Sequence, residues 1–291
     1  MRICLLVNED AGSAVSTSDL RAAIKRGGHE LVHVVSTEDH LALVLDERID
    51  LLAAAGGDGT MRHAASALAG RHIPLAMLPM GTANNIAQSL GIDGPIEQLI
   101  EKWHDGHCRP LDLAMIHGPA GKKHFIEGAG AGLVPGGIAA MDAKPGSDDG
   151  GADDRVHRAL REYLRVLSAL RPQRWNLTVD GTRLERDLLL LEVLNIGCIG
   201  PNLVLSREAD ASDGWLSVVT AGEAHRHQIA DYLQARIDGR EAPPLDLPVQ
   251  RTRAVEIQGP VQIHVDGDIQ CHTPEQVVSI RIQAAAVRIV V

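Results

Sequence analysis

The sequence predicts an α/β N-terminal domain on a parallel sheet, followed by a domain of mainly antiparallel strands. Two observations carry this. Over residues 1–110, apolar runs of strand length alternate with segments of helical spacing. Beyond Arg109 the apolar segments are short and β-like, and turn residues separate them. A chain of 291 residues with 45% apolar content can bury two cores of ordinary size.

Arg2–Val7 is an apolar run suited to a buried strand. Thr17 or Ser18 can cap a helix through Arg26, and Gly27-Gly28 ends it. His29–Val35 reads as a second strand, Glu38–Glu47 as a helix and Ile49–Ala55 as a third strand. Met61–Ala69 is helical, Ile73–Leu78 strand-like and Ala83–Leu90 helical, with Gly91 as its stop. The second half, residues 111–291, offers strands at Leu111–Ile116, His124–Glu127, Trp175–Val179, Leu188–Leu194, Trp215–Val219, Ala254–Gln258, Val261–Val265 and Val277–Ile282. A sandwich or a barrel fits them, and the last strand can return to the first domain. Helices are expected at Arg155–Leu170 and His225–Asp238. The acidic, Gly-rich stretch Lys144–Asp154 reads as a loop, with a lid as the sharper alternative.

Composition narrows the partners. A formal charge of −10 and 2% aromatic residues argue against a nucleic-acid partner, through repulsion and for want of stacking platforms. Cys4, Cys108, Cys198 and Cys271 are scattered, which fits buried thiols in a reducing cytoplasm. No apolar stretch approaches the roughly 18 residues of a membrane helix. A cytoplasmic protein with at most peripheral membrane contact is expected, and an edge strand leaves a homodimer open. Lys122-Lys123 reads as solvated surface. His104/His107 and His225/His227 lack a third ligand and read as surface positions.

Gly56-Gly57-Asp58-Gly59-Thr60 sits between a predicted strand and a helix, at the sheet edge where α/β proteins bind ligands. Glycines let backbone N–H groups approach a phosphate, and the helix start adds donors and partial positive charge. Thr60 can donate to a phosphate or cap the helix. Asp58 makes sense facing a metal ion or accepting a proton. A tight turn with a capping Asp is the plain alternative. The next strand leads into Met80-Gly81-Thr82-Ala83-Asn84-Asn85, a second such loop. Side by side, the two can hold a triphosphate. Neither G-x-x-x-x-G-K-[ST] nor G-x-G-x-x-G is present, and Gly128–Gly132 is expected to serve close strand packing.

The two loops, in this order, resemble the diacylglycerol-kinase catalytic-domain family, which includes soluble bacterial lipid kinases and sphingosine kinases and shares the Gly-Gly-Asp-Gly loop with NAD kinases. The similarity extends through Arg109-Pro-Leu-Asp112, Phe125–Gly132, Glu208–Gly214 and His264-Val-Asp266-Gly267-Asp268. It implies a nucleotide-binding α/β domain, a C-terminal β-sandwich for the acceptor and a site between them. ATP would be the phosphoryl donor and a lipid hydroxyl, diacylglycerol-like or sphingoid, the acceptor, with Mg²⁺. By resemblance Asp58 is a central carboxylate, Asp213 belongs to the magnesium site and Asp268 stands at the general base. Asn8 opens the first loop, and Gly56, Gly57, Gly59, Thr60, Gly81, Thr82 and Asn84 surround the nucleotide.

The chain departs from the family pattern at several points. Glu9 and Asp10 replace the usual Pro and basic neighbourhood of the first loop, His63 replaces Glu, Asn85 replaces Asp and Asp268 replaces the longer Glu. These changes predict an altered acceptor or a weak rate. A NAD kinase-like enzyme and a nucleotide-binding regulatory protein are the alternatives. Against the first, Asn195 is followed by Ile196 rather than the acidic residue of a ribose-binding pair.

Overall fold

The computed structural model describes residues 1–8, 15–36, 41–45, 48–143 and 152–291. The acidic first-loop residues Glu9 and Asp10 and most of Lys144–Asp154 lie outside the described residues. So do both ends of the helix expected over Glu38–Glu47, of which Leu41–Val44 is helical. The chain divides into two compact units. The first holds Met1–Leu113, Ala211–Asp213 and Gln283–Val291, and the second holds Ala114–Asp210 and Gly214–Ile282.

In the first unit, four parallel strands run in the order Glu30–Ser36, Arg2–Val7, Leu51–Gly56, Leu75–Pro79. The end of the last strand, Val277–Val290, adds in parallel through Ile289 opposite Leu75. Leu51–Gly56 is buried along its whole length, as expected of a central parallel strand covered on both faces. Buried Leu20, Ala23 and Ile24 from helix Thr17–Arg26 and Met61, Ala64, Ala65 and Leu68 from helix Asp58–Leu68 contribute to this unit's core. The cap of the first helix is Ser16 rather than Thr17 or Ser18. Ser16 accepts from the Asp19 N–H while Asp19 accepts from the Ser16 N–H, a reciprocal capping box.

The second unit is a sandwich, not a closed barrel. One sheet pairs the start of Val277–Val290 with Ala254–Gln258, then Gln173–Val179 and Thr182–Leu188, all antiparallel. The other runs Val249–Thr252, Leu216–Ala221, Leu190–Leu194, Gly128–Gly132, Gln262–Val265, Asp268–Cys271. Between the sheets pack Ala129, Ala131, Leu191, Val193, Leu177, Ile257, Val278 and Ile280. The opposite face of the second sheet is covered by helices Leu133–Asp142, Ala152–Ala169 and Arg226–Ile237, through residues such as Leu160, Tyr163, Leu167 and Ile229.

Several strands escaped the sequence reading, among them Val249–Thr252 and the short pair Cys198–Ile199 and Leu203–Val204, and two others that follow Asp-Gly turns. Thr182–Leu188 carries charges on its exposed face, which hides its alternation, but the Asp180-Gly181 turn before it has φ of 46° and 82° at its two residues, the primed hairpin geometry. Asp268–Cys271 is reached through the same kind of turn, Asp266-Gly267, with φ of 46° and 87°. The cysteine expectation also changes: Cys4 is buried, but Cys271 ends an edge strand and is exposed. Among the described residues no helix is long and apolar enough to cross a membrane.

Candidate active site

Parallel strands bring their C-terminal ends to one sheet edge, and there Asn8, Gly56–Thr60 and the Gly81–Asn84 loop follow them. Asn8 follows Arg2–Val7, and its N–H donates to the Ala55 carbonyl at 3.2 Å. Gly57 caps the helix Asp58–Leu68, so Asp58, Gly59 and Thr60 form its first turn rather than a loop ahead of it. The first amides of a helix have no partner within it and carry the positive end of its dipole.

The two glycine loops touch. The Met80 N–H donates to the Gly56 carbonyl at 2.8 Å. A Cβ on Gly81 would stand 2.5 Å from the Gly57 Cα, and one on Gly56 would meet Thr60 Oγ1 at 2.3 Å. A side chain at Gly81 would force the two backbones apart, and one at Gly56 would collide with the Thr60 side chain, which is why both positions need glycine. Asn84 closes the second loop: its amide accepts from the Gly81 N–H at 2.9 Å and donates to the Gly81 carbonyl at 2.8 Å, while its backbone sits at φ 50°. Thr82 and Gly59 are exposed. Thr60 is turned inward and buried, and its Oγ1 has no hydrogen-bond partner among the described residues.

Asp58 joins the loops. Its two oxygens accept from the Asn85 N–H at 3.1 Å and the Ile86 N–H at 2.9 Å, the start of helix Asn85–Ser89. Burial pushes its carboxyl above the ordinary range, while those amides, the Asn84 amide and Arg62 pull the other way. The carboxylate expected to face a metal or a hydroxyl therefore also holds the second loop against the first. Asn85 is buried, and His63 lies half-buried on the helix that Gly57 caps. Asp213 is exposed in the first unit. Asp112, also in that unit, is buried and accepts from the Ala285 N–H at 2.6 Å. Among the described residues no group of three His, Cys, Asp or Glu could cage a metal. A single exposed carboxylate still suits magnesium, which is commonly held by one or two carboxylates together with substrate phosphates.

In the second unit, Asp268 is the first residue of its edge strand, opposite Val265, and forms an ion pair with Lys123. Lys123 is thus engaged with a candidate site residue instead of being only solvated surface. Asp266 accepts three backbone N–H groups, from Ile126 and Glu127 at 2.9 Å and Gly128 at 3.0 Å. This carboxylate pins the turn that presents Asp268. Asp266→Ala is expected to lower the unfolding free energy by about 2–3 kcal/mol, since hydrogen bonds to charged groups are the stronger ones. Chemical denaturation with an unchanged m-value checks this.

Sequence reasoning missed a buried pair in the same unit. His264 and Glu192 are both fully buried, with Nε2 and Oε2 at 2.9 Å. A lone Glu inside the apolar Leu188–Leu194 run was the available signal. A Cβ at Gly130 would stand 2.3 Å from the Glu192 carboxyl, so the Gly-rich strand leaves room for that group. Burial pushes the Glu192 carboxyl up from its ordinary 4.5, against the pull of His264. A raised carboxyl binds its proton more tightly in the fold than in the unfolded chain. Its contribution to stability is therefore complete below about pH 4.5 and is lost as pH rises through the raised value. Glu192→Gln cannot ionise and is expected to flatten that decline, read as melting temperatures between about pH 5 and pH 8. Of the other His candidates, His104, His107 and His227 are exposed as expected, His104 also bonding the Gly27 carbonyl and stacking on His29, while half-buried His225 accepts from the Gly222 N–H.

Comparison with known proteins agrees with this architecture. Residues 2–116 match the diacylglycerol kinase catalytic domain, and residues 155–291 match the YegS C-terminal NAD kinase beta sandwich-like domain. A Pseudomonas aeruginosa protein named "Probable lipid kinase YegS-like" is 31% identical over 71% of this chain and 68% of its own length. The chain belongs to the diacylglycerol-kinase catalytic-domain family. Within that family, a diacylglycerol kinase of Mycobacterium tuberculosis is 26% identical over 95% of this chain and 91% of its own length. A crystal structure of a diacylglycerol kinase from Bacillus anthracis superposes with a TM-score of 0.73 at 20% identity, covering 99% of this chain and 96% of that one. A NAD kinase from Archaeoglobus fulgidus, solved with ATP, superposes at 0.56 and 13% identity over 100% of this chain and 94% of its own. Both likenesses bear on fold alone.

Proposed function

We propose that this protein is a lipid kinase that transfers the γ-phosphoryl group of ATP to a lipid hydroxyl, diacylglycerol-like or sphingoid. The observation that carries the reading is the pair of touching glycine loops at one sheet edge, bridged by Asp58. Backbone at Gly56, Gly57, Gly59 and Gly81, with Asn8, Thr60, Thr82 and Asn84 around it, surrounds the phosphates. Asp213 would help hold a magnesium ion, which would supply charge neutralisation on the phosphates. Asp268 accepts the proton of the acceptor hydroxyl as its oxygen attacks the γ-phosphorus, and ADP leaves. Phosphoryl transfer asks the protein mainly for positioning and electrostatics, which such a scaffold offers.

The NAD kinase alternative gains nothing from Asn195, which is buried and donates to the Ile126 carbonyl at 3.0 Å as part of the core. Incubation with labelled ATP, magnesium and a mixed lipid extract is expected to yield a labelled phospholipid. ATP binding by folded protein with no label in any lipid fraction would overturn the kinase reading and favour a nucleotide-binding regulator.

A further inference from the structure

Three features of the second unit remain unused by the proposed reaction: the buried Glu192–His264 pair, the glycine opposite it and the hydrogen bond from that pair to the turn before Asp268. The Gly267 N–H donates to His264 Nδ1 at 3.4 Å. That bond needs a lone pair on Nδ1, so the ring proton stands on Nε2, where Glu192 Oε2 accepts it at 2.9 Å. Each end of the imidazole is thereby assigned by its partner.

We infer that Glu192 and His264 are positioning residues for Asp268, with Glu192 setting the His264 tautomer that holds the Asp266-Gly267 turn. This rests on the reading of Asp268 as the base. The geometry explains why a carboxylate is tolerated in a fully buried strand. The turn is gripped from two sides: Asp266 accepts the amides of Ile126, Glu127 and Gly128, and His264 accepts the amide of Gly267. Asp268 follows directly and opens the edge strand. If the proton moved to Nδ1, two N–H groups would face each other at Gly267 and the grip on that side would fail. Gly130 completes the arrangement, because any larger residue would enter the space of the Glu192 carboxyl.

Positioning groups of this kind typically change rates by about 10–100-fold when removed. Glu192→Leu, which deletes the acceptor, is expected to lower kcat by about 10–100-fold with the ATP KM unchanged. Glu192→Gln retains an acceptor oxygen and is expected to recover most of the parental kcat. In an Asp268→Asn background the Glu192→Leu loss is expected to disappear, because both act through one group. A purely structural role would instead lower both variants in step with their folded fraction and add to Asp268→Asn. Either outcome, or a parental kcat in Glu192→Leu, overturns the inference.

Asp268→Asn alone separates the two claims. If it keeps full activity, the base assignment fails whatever Glu192 does. Two readouts do not depend on turnover. Nitrogen-15 spectra of the parent protein are expected to show His264 protonated on Nε2 and bare on Nδ1, and the opposite tautomer overturns the inference without any variant. Hydrogen exchange at the Gly267 amide is expected to quicken about tenfold or more in Glu192→Leu, and an unchanged rate likewise counts against it.

Discussion

Asp58→Asn is expected to lower phosphoryl transfer by about 100-fold or more. Each Asp58 oxygen accepts one backbone N–H, from Asn85 and from Ile86. An asparagine offers one acceptor oxygen and one NH₂ group, so one of those amides would face a donor. Leaving a buried donor unsatisfied costs about 1–3 kcal/mol. The strain falls where the Gly81 loop meets the Gly57 loop, and a displacement of about 1 Å at a transfer site costs on the order of 100-fold. The variant is expected to melt earlier and to bind ATP more weakly, since the cradle itself is disturbed. Steady-state kinetics at varied ATP, with a parallel melt, distinguishes this from a carboxylate that acts only on the acceptor. The latter would leave the melt and the ATP KM untouched.

Asp268→Asn is expected to reduce kcat by about 10²–10⁴-fold, the usual contribution of a positioned base, with the ATP KM unchanged. Its side chain is exposed and paired with Lys123, so the fold has little invested in it. Melting temperature should stay near the parental value. The contrast between the two carboxylates is the useful part. Asp58 couples stability to activity, whereas Asp268 separates them. A kcat within a few-fold of the parent in Asp268→Asn would remove it from the chemistry and return Gly267-Asp268 to the status of an ordinary hairpin.

Much of the first unit was legible because local and global preferences agree there. Residues 3–7 and the Leu51–Gly56 run are apolar throughout, as strands buried on both faces must be. Glycines mark the helix stops and the ligand-side loops. Boundaries shifted where caps decided them: Ser16 begins a helix one residue before the expected caps, and Gly57 begins another well ahead of Met61. In the second unit, edge strands with polar outward faces gave weak signals, so Thr182–Leu188 and Asp268–Cys271 went unread although an Asp-Gly turn precedes each.

The sequence by itself determined the fold class, the order of the two glycine loops and their likeness to one kinase family. Those properties are written in short, contiguous stretches whose backbone demands are local. The tertiary structure decided what the carboxylates hold. Asp58 reaches amides 27 and 28 residues away, Asp266 reaches amides 138 to 140 residues away, and Glu192 meets a histidine 72 residues away. A hydrogen bond is specified by distance and angle between atoms in space, so partners this remote in the chain leave no trace in spacing or composition. They become visible only when strands from distant segments lie side by side.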